Sequence, residues 1–170
     1  MAEEITIETR EAVPVVEVAA ETHLWRIPKV LAESFGIARQ RIEQSGAKVE
    51  GMPYARYLEI DWDDMVGKGA FAQLIAFAFS KQKMRIGMFS SESVSSEGNA
   101  IGHQLPAGRY VTTIHRGAYH KVGETYRRIV EWAAENGVKL ADSSLENYVD
   151  DPTEMPTEEV RTQIWIAVAD

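Results

Sequence analysis

Two hydrophobic rhythms alternate along the chain. Apolar side chains recur at helical spacing at Ile27, Leu31, Phe35, Ala38 and Ile42, and the run stops at Ser45-Gly46. The spacing returns at Val122, Tyr126, Ile129 and Ala133 and stops at Asn136-Gly137. Each stretch predicts an amphipathic helix closed by a glycine, and the two glycines stand 91 positions apart (137 minus 46). Before each helix lies a strand candidate, Val13–Thr22 and Arg109–Arg116; after each lies another, Pro53–Leu58 and Ser144–Val149. Met84–Glu92 and Arg161–Val168 close the halves, and the polar stretch from Ser90 to Asn99 reads as the loop between them. Ala70–Phe79, interrupted by Gln73, reads as a buried helix and is shorter than the ~20 residues of a membrane span.

Each half therefore reads as strand, helix, strand, strand. The expectation is a single α+β domain over 1–170, with a first module at about 8–94 and a second at about 104–170. A 91-residue shift lays Pro53–Leu58 on Ser144–Val149, so Tyr57 matches Tyr148 and Ala55 matches Glu146. Two such modules side by side would leave a cleft between them.

Strand alternation singles out Glu146. Leu145 and Val149 point one way, Glu146 and Tyr148 the other. In the last strand Thr162, Ile164, Ile166 and Val168 share one face, Gln163, Trp165 and Ala167 the other. If the apolar face meets a helix, Trp165 shares a space with Glu146 and Tyr148, and an aromatic box around a carboxylate fits a lipophilic cation. In the competing reading Trp165 is core and Glu146 pairs with a cation such as Arg161. The residues alone leave both readings open.

Composition narrows the chemistry. A net charge of −8 speaks against direct binding to nucleic acid or to an anionic membrane. The absence of cysteine removes disulfides, thiol nucleophiles and cysteine-based zinc sites. His23, His103, His115 and His120 lack metal-site spacing, and Asp61, Asp63 and Asp64 lack the glycine and closing glutamate of a calcium loop. No Gly-x-Ser-x-Gly elbow occurs, and Gly67-Lys68-Gly69 is too short for a phosphate loop, so neither cofactor nor metal is expected. The acidic Met1–Glu4 start has no apolar signal core, which points to the cytoplasm. One catalytic option is left: Glu146 as general acid or base, with Tyr148 orienting a water.

The strings Leu105–Tyr110, His115–Tyr119, Glu131-Trp132, Glu135–Gly137, Leu145–Tyr148, Asp151-Pro152 and Arg161–Trp165 carry a further signal. In order and spacing they resemble the GyrI-like small-molecule-binding family, which includes effector-binding domains of AraC- and MerR-type multidrug regulators. The resemblance covers residues 105–168. It implies two β-α-β-β modules related by a pseudo-twofold (an SHS2 duplication), an antiparallel sheet with helices on one side, and a cleft for lipophilic, often cationic molecules. It also implies Glu146 at the centre of that cleft, with Tyr148, Trp165, Tyr110 and Tyr119 as contacts. From the first half, Tyr57, Trp62 and Phe89 are the matching aromatic candidates. The stretch before Val13 is too short for a helix-turn-helix, so the expectation is a stand-alone ligand module that does not touch DNA. Stand-alone relatives imply two alternatives: hydrolysis of cyclopropane-type electrophiles with Glu146 as base, and inhibition of DNA gyrase by an acidic surface.

Overall fold

The computed structural model describes residues 3–63, 81–151 and 153–169. Strands β1 (Thr6–Arg10) and β2 (Val13–His23) lead through a 3-10 turn at Leu24–Arg26 into helix α1 (Ile27–Gln44). Strands β3 (Val49–Tyr57), β4 (Lys81–Ser90), β5 (Ala100–Leu105) and β6 (Gly108–Arg116) follow. A second 3-10 turn, Tyr119–Lys121, opens helix α2 (Val122–Glu135), and β7 (Ser144–Tyr148) and β8 (Arg161–Ala167) complete the chain. The expected helix over Ala70–Phe79 lies outside the described residues, as do Asp64 and Gly67-Lys68-Gly69. No described helix is long and apolar enough to cross a membrane.

The eight described strands form one antiparallel sheet in the order β1-β6-β8-β7-β3-β4-β2-β5. The order is symmetrical about the β7–β3 junction. There Ala55 lies opposite Glu146, with Tyr54 opposite Asn147 and Arg56 opposite Leu145. A shift of 91 exchanges the last two pairs and maps Ala55 onto Glu146, so the centre of the arrangement falls between those two residues. Two strands were not foreseen. β1 and β5 are short and lack a long apolar alternation, and each is stabilised as a strand by an edge to pair with. They cross over: β1 of the first half pairs with β6 of the second, and β5 of the second half pairs with β2 of the first.

The helices form where their spacing predicts, because each turns one apolar face to the sheet. In α1, Ala38 and Ile42 pack with Val16, Met88 and Ala100; in α2, Tyr126 and Ile129 pack with Val111, Ile164 and Ile166. Both helices are followed by a glycine with positive φ, Gly46 at 85° and Gly137 at 64°. The other face, which carries no helix among the described residues, is buried too, around Val15, Tyr54, Phe89, Leu105, Leu145 and the half-buried Trp165. The polar linker is less free than its composition implies. Val94 is buried in the α1 core, and Arg41 reaches across to the Ser95 carbonyl at 2.9 Å.

Gly87 is required for a different reason from the capping glycines. A Cβ there would stand 2.6 Å from the Val16 carbonyl oxygen and 2.9 Å from the Tyr54 hydroxyl. At Gly137 a Cβ meets nothing within 4 Å, and only the left-handed backbone objects. We expect Gly137→Ala to cost about 1 kcal/mol and Gly87→Ala up to about 3 kcal/mol in urea unfolding. Equal losses would show that close approach at Gly87 does not matter.

Candidate functional site

Glu146 is fully enclosed, with 1% of its surface exposed. It sits on the helix side of the sheet, because its β8 neighbour is Ile164, which packs under α2. Among the described residues no lysine, arginine or histidine pairs with it. Its oxygens are met by phenols instead. Tyr126 of α2 donates to Oε1 at 2.8 Å, and Tyr119 of the 3-10 turn donates to Oε2. Since each phenol has a single proton, the outer partners must donate inward: Tyr57 to Tyr119 and Ser144 to Tyr126, both at 2.7 Å. Tyr148 lies beside them, its ring 6.2 Å from that of Tyr119, and its buried hydroxyl has no aligned partner.

The turn that carries Tyr119 is held by His115, whose Nε2 donates to the Ala118 carbonyl at 3.2 Å while Nδ1 pairs with the Thr125 hydroxyl. The α1 side of the cluster is closed by Phe35, 6.3 Å from the Tyr148 ring. Tyr119 is the most exposed member, with 40% of its surface open to solvent, and Tyr57 and Tyr148 are partly exposed.

Burial dominates the electrostatics. Loss of water pushes the Glu146 carboxyl up to about 7, against the downward pull of hydrogen bonds from Tyr119 and Tyr126 and of the nearby Tyr148 hydroxyl. Burial, then the Glu146 charge, raises Tyr119 and Tyr126 well above the ordinary phenol value. The site is thus a proton-holding acid near neutrality inside a ring of un-ionised phenols.

The predicted contacts divide between two faces. Glu146, Tyr148, Tyr119 and Tyr57 come together as one cluster. Trp165 does not join it: its β7 neighbour is Leu145, which puts it on the helix-free face. The expectation that the apolar side of β8 meets a helix holds, but Glu146 lies on that same side, and so Trp165 points away from it. Phe89 and Tyr110 are likewise on the helix-free face, with rings 5.7 Å and 6.4 Å from Trp165. Trp62 stands behind Tyr126 at 6.0 Å, its indole N–H donating to the Ala141 carbonyl. Arg161 pairs with Asp150 at 2.8 Å, not with Glu146.

Sequence reasoning missed Tyr126 and Ser144 as members. Tyr126 was placed as helix core by spacing, and its need for a hydroxyl partner when buried was the usable signal. It also missed a second enclosed acid, Glu17, which interrupts the Val13–Val18 strand much as Glu146 interrupts β7. Glu17 is on the opposite face and is fully partnered. Arg56 donates to it from Nε and Nη2 at 3.1 and 2.7 Å, His103 Nε2 lies at 2.8 Å and the Tyr54 hydroxyl at 2.9 Å. Burial would raise Glu17, but Arg56 and His103 together hold it below the ordinary value. Among the described residues no three acidic or histidine side chains gather as a metal site requires.

The family model described as the GyrI-like small molecule binding domain matches residues 3–169. The chain belongs to the GyrI-like family. The match takes in the first half, which the sequence motifs did not reach. No curated protein sequence matches significantly. Among solved structures, the EcmrR C-terminal domain is similar at 19% identity and TM-score 0.74, over 100% of this chain and 99% of that one. EcmrR within a DNA complex aligns at 20% identity and TM-score 0.75; this GyrI-like chain spans 59% of its length. SAV2435 bound to tetraphenylphosphonium aligns at 15% identity and TM-score 0.58, over 98% of this chain and 94% of that one. A hydrolase from Listeria innocua aligns at 8% identity and TM-score 0.65, over 98% and 92%. At these identities the likeness is one of fold.

The raised acid ties stability to pH. Below the unfolded value of 4.5 Glu146 is protonated in both states and costs nothing; between 4.5 and about 7 the folded state keeps a proton that the unfolded state has lost. Stability from this group therefore falls as pH rises through that window, by about 3 kcal/mol in all. Urea titrations of the wild type and Glu146→Gln should diverge by most of that amount between pH 5 and pH 8, in favour of the variant, and a constant difference would refute it. Removing one phenol works the other way on the acid. Tyr119→Phe deletes a hydrogen bond that favours the carboxylate, so a carbon-detected NMR titration should place Glu146 above its wild-type midpoint.

Proposed function

We propose that this domain binds a lipophilic cation beside Glu146, between α1 and α2, with Tyr57, Tyr119 and Tyr148 as the aromatic wall. One observation carries the reading: a carboxylate fully removed from water with no cationic partner among the described residues. A buried acid normally finds a positive charge or gives up its own. Here the charge is held at the edge of ionisation, so an arriving cation supplies the missing partner. The half-exposed Tyr119, on a short turn and not on the sheet, is the natural point of entry. The tetraphenylphosphonium bound by SAV2435 gives the reading a ligand of suitable chemistry. Trp165, Tyr110 and Phe89 take no part in it, because the sheet stands between them and Glu146.

A cation binds the ionised acid, so binding competes with the proton. Affinity for tetraphenylphosphonium should rise up to tenfold per pH unit below about pH 7 and level off above it. Glu146→Gln should weaken this cation by about 2 kcal/mol, roughly 30-fold, and leave neutral triphenylphosphine oxide nearly unchanged. Calorimetry showing equal losses for the two compounds, or a flat pH profile, overturns the proposal.

The value near 7 also supports a second reading, in which Glu146 acts as general base towards a strained electrophile. The phenols would then donate to the opening ring. Multiple turnovers of a cyclopropane-type alkylator, lost in Glu146→Gln, would favour it; loss of no more than one equivalent per protein excludes it.

A further inference from the structure

The helix-free face of the sheet holds a cavity of about 340 Å3, at the lower end of the ligand-binding range. Arg10, Arg56, Tyr110, Leu105, Leu145 and Trp165 line it. The crossed edge strand builds it. β1 pairs with β6 so that Arg10 lies opposite Gly108, where no side chain competes, and the Arg10 guanidinium rests 3.6 Å over the Trp165 ring.

Two polar atoms of these lining residues are buried without a hydrogen-bond partner, Arg10 Nε and Trp165 Nε1. Both are donors. A buried donor left unpaired costs about 1–3 kcal/mol, and of the seven unpartnered buried side-chain polar atoms among the described residues these two belong to side chains stacked on each other at one cavity. None of the surrounding carboxylates supplies it. Glu8 accepts from Arg10 Nη2 at 2.6 Å, and Glu17 is taken up by Arg56, His103 and Tyr54. Glu11, the acid that lines the cavity, is exposed to water. The remaining wall is largely apolar, and burial lowers the Arg10 guanidinium from its ordinary value despite Glu8. What Arg10 Nε and Trp165 Nε1 lack is an acceptor within hydrogen-bond distance.

We propose that this cavity is a second ligand site, distinct from Glu146, for a small carboxylic acid with a flat apolar body. The carboxylate accepts from Arg10 Nε and Trp165 Nε1, and the body lies against Leu105, Leu145 and Tyr110. Its charge preference is opposite to that expected at Glu146, and the two sites are separated by the thickness of the sheet, since Leu145 and Glu146 are successive residues facing opposite ways.

The test uses the whole domain and 2-naphthoate as probe, with 2-naphthamide as the neutral comparison. In nitrogen–proton NMR spectra the Trp165 indole signal, assigned by its loss in Trp165→Phe, should shift saturably with 2-naphthoate. Arg10→Met should weaken binding at least tenfold, and Glu146→Gln should change it less than twofold. If Arg10→Met does not fold, Arg10→Lys, which keeps the charge but not the Nε donor, should show the same loss. The proposal is overturned if the signal does not move at millimolar probe, or if a folded Arg10 variant binds as the wild type does. Equal binding of the amide, or loss of binding in Glu146→Gln, overturns it as well.

Discussion

A carboxylate held inside the protein without a counter-charge among the described residues is the constraint around which this fold is arranged. The Tyr126 and Tyr119 hydroxyls, the Ser144 and Tyr57 hydroxyls behind them and the His115-braced turn are all placed to make one buried acid tolerable. Hydrogen bonds from neutral phenols reduce the cost of desolvation and do not abolish it. The contrast with Glu17 is instructive, because it is equally buried on the other face and is neutralised by a bidentate arginine. A residue whose needs are met inside the protein has nothing left to offer a ligand. Glu146 is the one with an unmet need.

Position reinforces charge. The centre of the sheet falls between Ala55 and Glu146, both without exposure to speak of, so the junction carries one acid and one methyl group. Two carboxylates there would face each other across adjacent strands and repel. One leaves the middle of the helix-covered face with a single negative centre and a small neighbour, an asymmetry within a symmetrical frame.

Much of this was legible in the residues. Helix spacing and the glycine stops gave both described helices, since they depend on local periodicity and on a backbone conformation that favours glycine. Strand alternation gave the six described strands other than β1 and β5 and correctly separated Leu145 from Glu146. Alternation fails at the next step, because it divides each strand into two faces without saying which face of one strand adjoins which face of its neighbour. That is a matter of register, and it moved Trp165 to the far side of the sheet. β1 and β5 were invisible for a related reason: their strand character is conferred by the edges they join. Glu17 could have been found by the argument applied to Glu146, as an acid in a valine-rich strand, although its partners Arg56 and His103 come from strands distant in sequence.

The crossed edge strands bind the halves together in time as well as in space. Thr6–Arg10 must wait for Gly108–Thr112 to emerge and order before it can pair, a loop of about a hundred residues. Closing such a loop carries an entropic cost that only the finished pairing repays, so this edge is among the long-range contacts that slow folding. Neither half presents a finished sheet by itself, because each lends its opening strand to the other. The domain is in that sense a clasp, fastened at both margins, and Arg10 on one of the fasteners reaches its place over Trp165 only when the fastening is complete.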